Sequence, residues 1–266
     1  MDVGPEGVEG MYAEERHHTI VNLALRYDRV SVADLATRFD VTTETIRRDL
    51  DALDKRGILR RVHGGAVIAE NVALAETTLT DREPAFVAQK SRIAQAALGY
   101  LPSPGSSVLF DSGTSVARLA AAVPSGTLGT VVTNSVPVAA QLAAGSSGTQ
   151  VHLIGGRVRG ITQATVGGET VAVLSRLRCD VAFIGANGVT IRHGFSTPDP
   201  DEAAVKQAMV ATARKVVVLA DSSKVGVELL VSFAPLTAVD VLITDDGISD
   251  RDRSELTAAG IEVVIA

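Results

Sequence analysis

Seven times between residue 107 and residue 266 a short run of Val, Ile and Leu closes on small residues: "SVLFD", "GTVVTN", "QVHLIGG", "DVAFIGA", "KVVVLAD", "VDVLITD" and "IEVVIA". Alanine-rich stretches at helical spacing separate them. Unbroken apolar runs mark strands buried on both faces, and parallel sheets covered by helices are buried in that way. The repeat therefore predicts a large α/β domain on a parallel sheet. Hydrophobic residues make up 46% of the chain, aromatics only 3%, and tryptophan is absent, so the core is aliphatic. That excludes aromatic platforms for single-stranded nucleic acid. The single cysteine, Cys179, excludes an internal disulfide framework or a multi-cysteine zinc site and reads as core filler.

In such a sheet ligands bind outside the carboxyl ends of the strands. Those ends supply Asp111, Ser112, Gly113, Thr114 and Ser115; Thr133, Asn134 and Ser135; Gly155 and Gly156; Asn187; Asp221 and Lys224; and Thr244 with Asp245. Hydroxyls, amides and an ammonium group can bond sugar hydroxyls and phosphates, while Ser135 and Asp245 also suit helix caps. The stretch "VLFDSGTSVARLA", residues 108–120, passes from strand to helix through small polar residues. A helix start exposes unpaired N–H groups in a field that favours an anion. Read alone, the loop fits a catalytic site, a phosphate cradle or a plain capped turn.

The first sixty-odd residues follow another pattern. Apolar residues Ile20, Leu23, Ala24 and Tyr27 recur at helical spacing within 13–27, after which Asp28 and Arg29 end the helix. A short second helix starts at the cap Ser31, with Asp34 three residues on, and turns Val32, Leu35, Ala36 and Phe39 inward. A third starts at Thr42, buries Ile46, Leu50 and Leu53, and stops at Gly57. Helix, tight turn, helix suits entry into a DNA major groove. Glu44, Thr45 and Arg48 then face outward with Thr43 and Arg47 at the flanks; the arginines suit guanine edges or phosphates. A solvated charged face accounts for the same residues. "ILRRVHGGAV" reads as a small hairpin wing carrying Arg60, Arg61 and the exposed His63, which has no metal-ligand partners nearby. The formal net charge of −6 hides an uneven distribution: residues 14–65 hold 10 basic and 9 acidic residues, and the remainder 15 against 22.

"TTETIRRDLDALDKRGILRRVHGGA" resembles the winged helix-turn-helix signature of the DeoR family of bacterial transcriptional regulators, with threonine where the family often has serine before the recognition helix. The later stretches "FDSGTS", "VVTNS", "LIGG", "DVAFIGANGV" and "VVVLADSSK" resemble that family's sensor domain. The resemblance implies a DNA-binding domain over 13–67; residues 68–83, "IAENVALAETTLTDRE", lack a clean period and read as a linker, and the effector-sensing α/β domain is expected over 84–266. It further implies a sensor fold similar to ribose-5-phosphate isomerase, with a phosphorylated sugar or related metabolite at Asp111 to Ser115, Thr133 to Ser135 and Asn187. Lys206 and Lys224 are candidate phosphate or sugar partners, although Lys206, on an amphipathic helix, also fits a solvated lysine.

An isomerase of that fold places acids in an Asp-Gly-Ala-Asp-Glu strand end, and the matching stretch here is "IGANGV". Ile184, Asn187 and Gly188 stand in place of the three carboxylates, Val205 precedes Lys206, and Asn cannot act as a base at neutral pH. The expectation is a repressor of a carbohydrate operon, with no catalytic residues, cofactor or metal, that binds double-stranded operator DNA as a dimer or tetramer. The alternative is a sugar-phosphate isomerase-like enzyme with a DNA-binding appendage, with Glu202 as a shifted base. The opening "MDVGPEGVEG" has neither a basic nor an apolar targeting pattern, and no run of apolar residues is long enough for a membrane span. A cytoplasmic location without membrane partners is expected.

Overall fold

The computed structural model describes residues 13–27, 29–68, 78–83, 85–145 and 148–266. Pro84, the opening decapeptide and residues 69–77 of the expected linker lie outside them. The chain forms two compact units, Met1–Val72 and Ala73–Ala266.

The first unit runs α1 (Ala13–Tyr27), β1 (Arg29–Ser31), α2 (Val32–Phe39), α3 (Thr43–Lys55), β2 (Leu59–Val62) and β3 (Gly65–Ile68). Ser31 Oγ accepts the Asp34 N–H at 3.0 Å, and Thr42 Oγ1 accepts that of Thr45 at 3.1 Å, so both expected caps form. Arg56 is the last cap of α3, one residue before the expected Gly57. Gly57, at φ 69°, lets the Ile58 N–H reach Leu53 O at 3.0 Å and its own N–H reach Asp54 O at 2.8 Å. Ile20, Ala24, Leu35, Ile46, Leu50 and Leu53 close the core against Ile58 and Leu59. Strand β1 was not expected where Asp28 and Arg29 ended the helix. It pairs antiparallel with β3, opposite β2, and places Ser31 against Gly65. A Cβ on Gly65 would stand 1.9 Å from Val30 O, so that glycine is fixed by strand packing.

The second unit opens with the single-turn helix α4 (Leu79–Arg82), inside the stretch expected as linker, and α5 (Val87–Ala97). The expected start of α5 at Ala85 is displaced because Phe86 adopts φ 55° and is buried. Then come β4 (Ser107–Phe110), α6 (Thr114–Ala122), β5 (Thr130–Thr133), α7 (Val136–Gly145), β6 (Gln150–Leu153), β7 (Arg157–Arg159), β8 (Ala164–Val166) and α8 (Gly168–Leu174). The chain continues with β9 (Cys179–Gly185), β10 (Gly188–Thr190), β11 (Gly194–Thr197), α9 (Pro200–Thr212), β12 (Ala213–Leu219), β13 (Val231–Ala234), β14 (Val241–Thr244), α10 (Asp250–Ala258) and β15 (Glu262–Ile265).

All seven expected strands enter one parallel sheet, ordered β6-β5-β4-β9-β12-β14-β15. All seven point the same way; the order steps outward from β4 to β5 and β6 on one side, and from β9 to β12, β14 and β15 on the other. The reversal falls between β4 and β9, which defines the crevice where such sheets take ligands. Alternate residues feed two cores, Leu109, Ala182, Val218 and Leu242 on one face and Phe110, Phe183, Leu219 and Ile243 on the other. At the start of the two switch strands, Asp180 Oδ2 accepts the Ser107 N–H at 2.9 Å and its hydroxyl at 2.8 Å. The hydroxyl oxygen in turn accepts the Asp180 N–H at 3.1 Å. Cys179 is buried, and burial followed by the Asp180 charge pushes its thiol up to about 11, consistent with core filler. The antiparallel pair β7-β8 and the sheet β10-β11-β13 were not expected.

Candidate functional site

On the first unit, α3 exposes Thr43, Glu44, Arg47 and Arg48. Thr45 is half-buried and spends its hydroxyl on Thr42, at 2.9 Å. Glu44 lies 3.6 Å from Arg47 Nη1 and 3.7 Å from Arg48 Nε, exposed pairings weak enough to yield to a phosphate. Arg60 and His63 are exposed on the wing, and the His63 carbonyl accepts Arg29 Nη2 at 3.0 Å. Arg61, expected among the DNA contacts, turns inward instead. Its Nη1 donates to Arg47 O at 3.0 Å and to Asp51 Oδ1 at 2.9 Å, while its N–H donates to Asp54 Oδ1 at 3.1 Å. It braces the wing against α3.

The back of α3 carries a residue that helical periodicity did not single out. Asp49 is buried and accepts Arg16 Nε at 2.5 Å, Arg16 Nη2 at 3.1 Å and His17 Nε2 at 3.0 Å. A bidentate guanidinium–carboxylate pair fixes orientation as well as distance, so α1 sets the rotation of α3. Asp49 lies three residues after Ile46, on the inward stripe, and that placement was the available signal.

On the second unit, three groups of rim residues assemble. At the switch point Asp111 is buried, and its Oδ2 accepts the Gly185 N–H at 2.9 Å and the Lys206 ammonium. Lys206 also donates to Gly185 O at 2.9 Å and lies 5.5 Å from the centre of the Phe233 ring. Lys206 is therefore a buried structural cation, which overturns its reading as a solvated lysine. Above it Gly113 caps α6 at φ 117° and ψ 158°, with Ser112, Thr114 and Ser115 buried. The first helical bond is Ala117 N–H to Gly113 O at 2.9 Å, so the N–H groups of Thr114, Ser115 and Val116 have no partner within the helix. Asn187 is half-buried; its Oδ1 accepts the Thr197 hydroxyl at 3.2 Å. A Cβ at 113 would meet no atom within 4 Å, yet any L side chain there, and a β-branched valine above all, would be strained at that φ. Gly113→Val is expected to abolish any metabolite-induced change in melting temperature while DNA binding persists; an unchanged metabolite response would remove the loop from the site.

The second group surrounds the end of β12. Asp221 accepts the Ser223 hydroxyl and, at 3.2 Å, its N–H. Burial alone would raise its carboxyl, but Lys224, the Ser223 hydroxyl and Lys90 together hold it below the usual carboxylate range. Lys90, on α5, carries no distinguishing signal in the sequence, yet it is buried and donates to Arg82 O at 2.5 Å. Burial lowers its ammonium from 10.5 to about 8, opposed by Asp221 and Glu83 and assisted by Lys224 and Arg82. Between those values the unfolded chain holds the extra proton, so this group makes stability rise from pH 8 towards 10.5, by about 3 kcal/mol. In urea titrations across that range, Lys90→Met should flatten the rise; an identical pH profile would refute it.

The third group is tied to the β7-β8 pair and its neighbours. Thr133 Oγ1 accepts the Ser135 N–H at 3.0 Å, and Ser135 caps α7 through the Val138 N–H at 3.4 Å. Asn134 clamps Thr165 by donating to its carbonyl at 3.1 Å, leaving a buried Oδ1 without a partner. Gly155 O accepts the Thr170 hydroxyl at 2.8 Å, and a Cβ on Gly156 would stand 2.1 Å from that hydroxyl oxygen. Packing against Thr170 of α8 accounts for Gly156, whereas a Cβ on Gly155 would meet open space. Asp245 is no helix cap: it accepts Ser222 N–H at 2.7 Å and Gly247 N–H at 3.1 Å, while Ser249 caps α10. Glu202, the candidate shifted base, is buried and accepts the Thr162 hydroxyl, with Arg159 Nη1 at 3.3 Å.

Among the described residues no cluster of His, Cys, Asp or Glu could hold a metal, and no helix is long and apolar enough to cross a membrane. The family described as the DeoR-like helix-turn-helix domain matches residues 16–72, and the DeoR C-terminal sensor domain matches residues 85–246. The chain is 38% identical to the HTH-type transcriptional regulator GlpR of Haloferax volcanii, over 96% of this chain and 98% of that protein. It is 32% identical to the lactose phosphotransferase system repressor of Streptococcus mutans, over 96% of this chain and 100% of the other. Among solved structures it is similar to the full-length sorbitol operon regulator SorC from Klebsiella pneumoniae, at 16% identity and a TM-score of 0.38, covering 90% of this chain and 98% of that one.

Proposed function

The chain belongs to the DeoR family of transcriptional regulators, and from that premise we propose that it represses a carbohydrate operon and releases DNA in response to a phosphorylated sugar. One observation carries the sensor reading: the switch-point crevice keeps its phosphate-type loop, Ser112 to Ser115, while the matching carboxylate positions are Ile184, Asn187 and Gly188. Glu202, bonded by Thr162 and Arg159, is not poised as a replacement base. The enzyme alternative is accordingly not favoured.

The DNA contacts in this reading are Thr43, Glu44, Arg47, Arg48, Arg60 and His63, with Thr45 and Arg61 acting through the cap and the wing brace. The effector contacts are Ser112 to Ser115, Asn187 and Lys224, while Asp111 and Lys206 hold the floor of the pocket. A single winged unit reads few base pairs, which supports a dimer or tetramer on repeated half-sites in the cytoplasm. Coupling between the sites needs little energy: about 1.4 kcal/mol changes operator affinity about tenfold. Purified protein should retard DNA from its own promoter region, and a sugar phosphate should reverse the retardation. Steady turnover of a pentose phosphate, abolished by Glu202→Ala, would overturn the reading.

A further inference from the structure

Arg82 ends the single turn of α4, and its Nε and Nη2 are buried with no hydrogen-bond partner among the described residues. Desolvating a guanidinium without an acceptor is costly, and arginine cannot escape by losing its proton. These two nitrogens form the edge that grips an oxyanion side-on, as those of Arg16 grip Asp49.

The surroundings add positive charge. Lys90 donates to the Arg82 carbonyl, and Lys224 and Asp221 act on Lys90 at the same place. Among the described side chains of this group, Arg82, Lys90, Lys224 and Arg118 stand against Asp221 and Glu83, and Arg118 Nη2 already holds Glu83 Oε1 at 2.6 Å. Two positive charges remain, the complement of a phosphate monoester, which carries nearly two negative charges at pH 7.

We propose that Arg82 is an anion-recognition residue whose missing partner is the phosphate of the bound effector. The inference rests on the sugar-phosphate reading and extends it to coupling. Helix α4 is the first described element after residues 69–77, through which the chain continues from the wing. Its end is held to α5 by Lys90, and Glu83 is held to α6, the helix that starts at Gly113, by Arg118. A phosphate gripped by Arg82 thus acts on α4 and, through Lys90 and Arg118, on α5 and α6.

The test uses full-length wild-type protein with Arg82→Gln and Arg82→Lys. Melting temperature is followed at fixed ionic strength with inorganic phosphate, glucose 6-phosphate, fructose 1-phosphate and glycerol 3-phosphate, with glucose as the uncharged control. Operator binding is measured in parallel by anisotropy. Without ligand, Arg82→Gln should melt no lower than wild type, because it removes an uncompensated buried charge, whereas a merely structural arginine would give a lower value. It should bind operator normally and lose stabilisation by phosphate compounds. Arg82→Lys keeps the charge without the fork and should need about tenfold more ligand for the same response. If Arg82→Gln does not fold, Arg82→Lys decides, and an undiminished response in it overturns the inference. A wild-type response retained in full by Arg82→Gln sinks the inference alone. No wild-type response to any phosphate compound sinks the sugar-phosphate reading together with it. Stabilisation by inorganic phosphate that no sugar phosphate exceeds, lost in Arg82→Gln, supports the Arg82 site and overturns the sugar as its ligand.

Discussion

Replacing Lys206 by methionine is expected to destabilise the second unit by about 3–5 kcal/mol. The substitution preserves the aliphatic bulk near Phe233 but leaves Asp111, whose side chain is 1% exposed, as a buried carboxylate with the Gly185 N–H at 2.9 Å and the Ser112 hydroxyl at 3.5 Å and no cation beside it. Removing one partner of a buried pair costs far more than removing both, because the survivor keeps its desolvation penalty. The double variant Asp111→Asn with Lys206→Met should therefore recover part of the loss. Urea unfolding of wild type, both single variants and the double variant gives the coupling directly. A loss under about 1 kcal/mol for Lys206→Met would mean that the pair is dispensable.

Arg47→Ala combined with Arg48→Ala should weaken operator binding by about 2–4 kcal/mol, or about thirtyfold to a thousandfold, with little change in thermal stability. Both side chains are exposed, and their contacts to Glu44 are too long and too solvated to matter for folding. Titration at several salt concentrations separates two roles: a phosphate contact lowers the salt slope by about one per residue, whereas a base contact relaxes discrimination between operator sequences. Unchanged affinity and specificity would remove α3 from the DNA interface.

The parallel sheet was legible because each of its strands is buried on both faces and so writes an unbroken apolar run. The short antiparallel pieces were not: β7 and β10 are three residues long, and their neighbours are Gly, Arg and Thr, which read as loop. Strand β1 escaped for the same reason, since only its pairing with β3 makes Arg29–Ser31 a strand. The caps Ser31 and Thr42 were readable because capping is local in sequence. Partners distant in sequence were not readable, and they decide the site. Arg16 and Asp49 lie 33 residues apart and Asp111 and Lys206 lie 95 apart, so periodicity marks where each residue sits on its own helix or strand but not what it meets. Nothing in the local sequence marks Lys90 or Arg82, because the burial of the ammonium and of the guanidinium nitrogens is set by the fold around them.

The two switch strands are bonded at both ends, by Ser107 with Asp180 at the start and by Asp111, Gly185 and Lys206 at the finish. The foundation of the crevice is thereby separated from its recognition surface. Residues 112–115 and Asn187 can be exchanged for others that suit a different metabolite while the bonded strands beneath keep the scaffold in register. A change of ligand specificity then needs only the loops, whereas a change at the buried pair would disturb the scaffold on which every such loop stands.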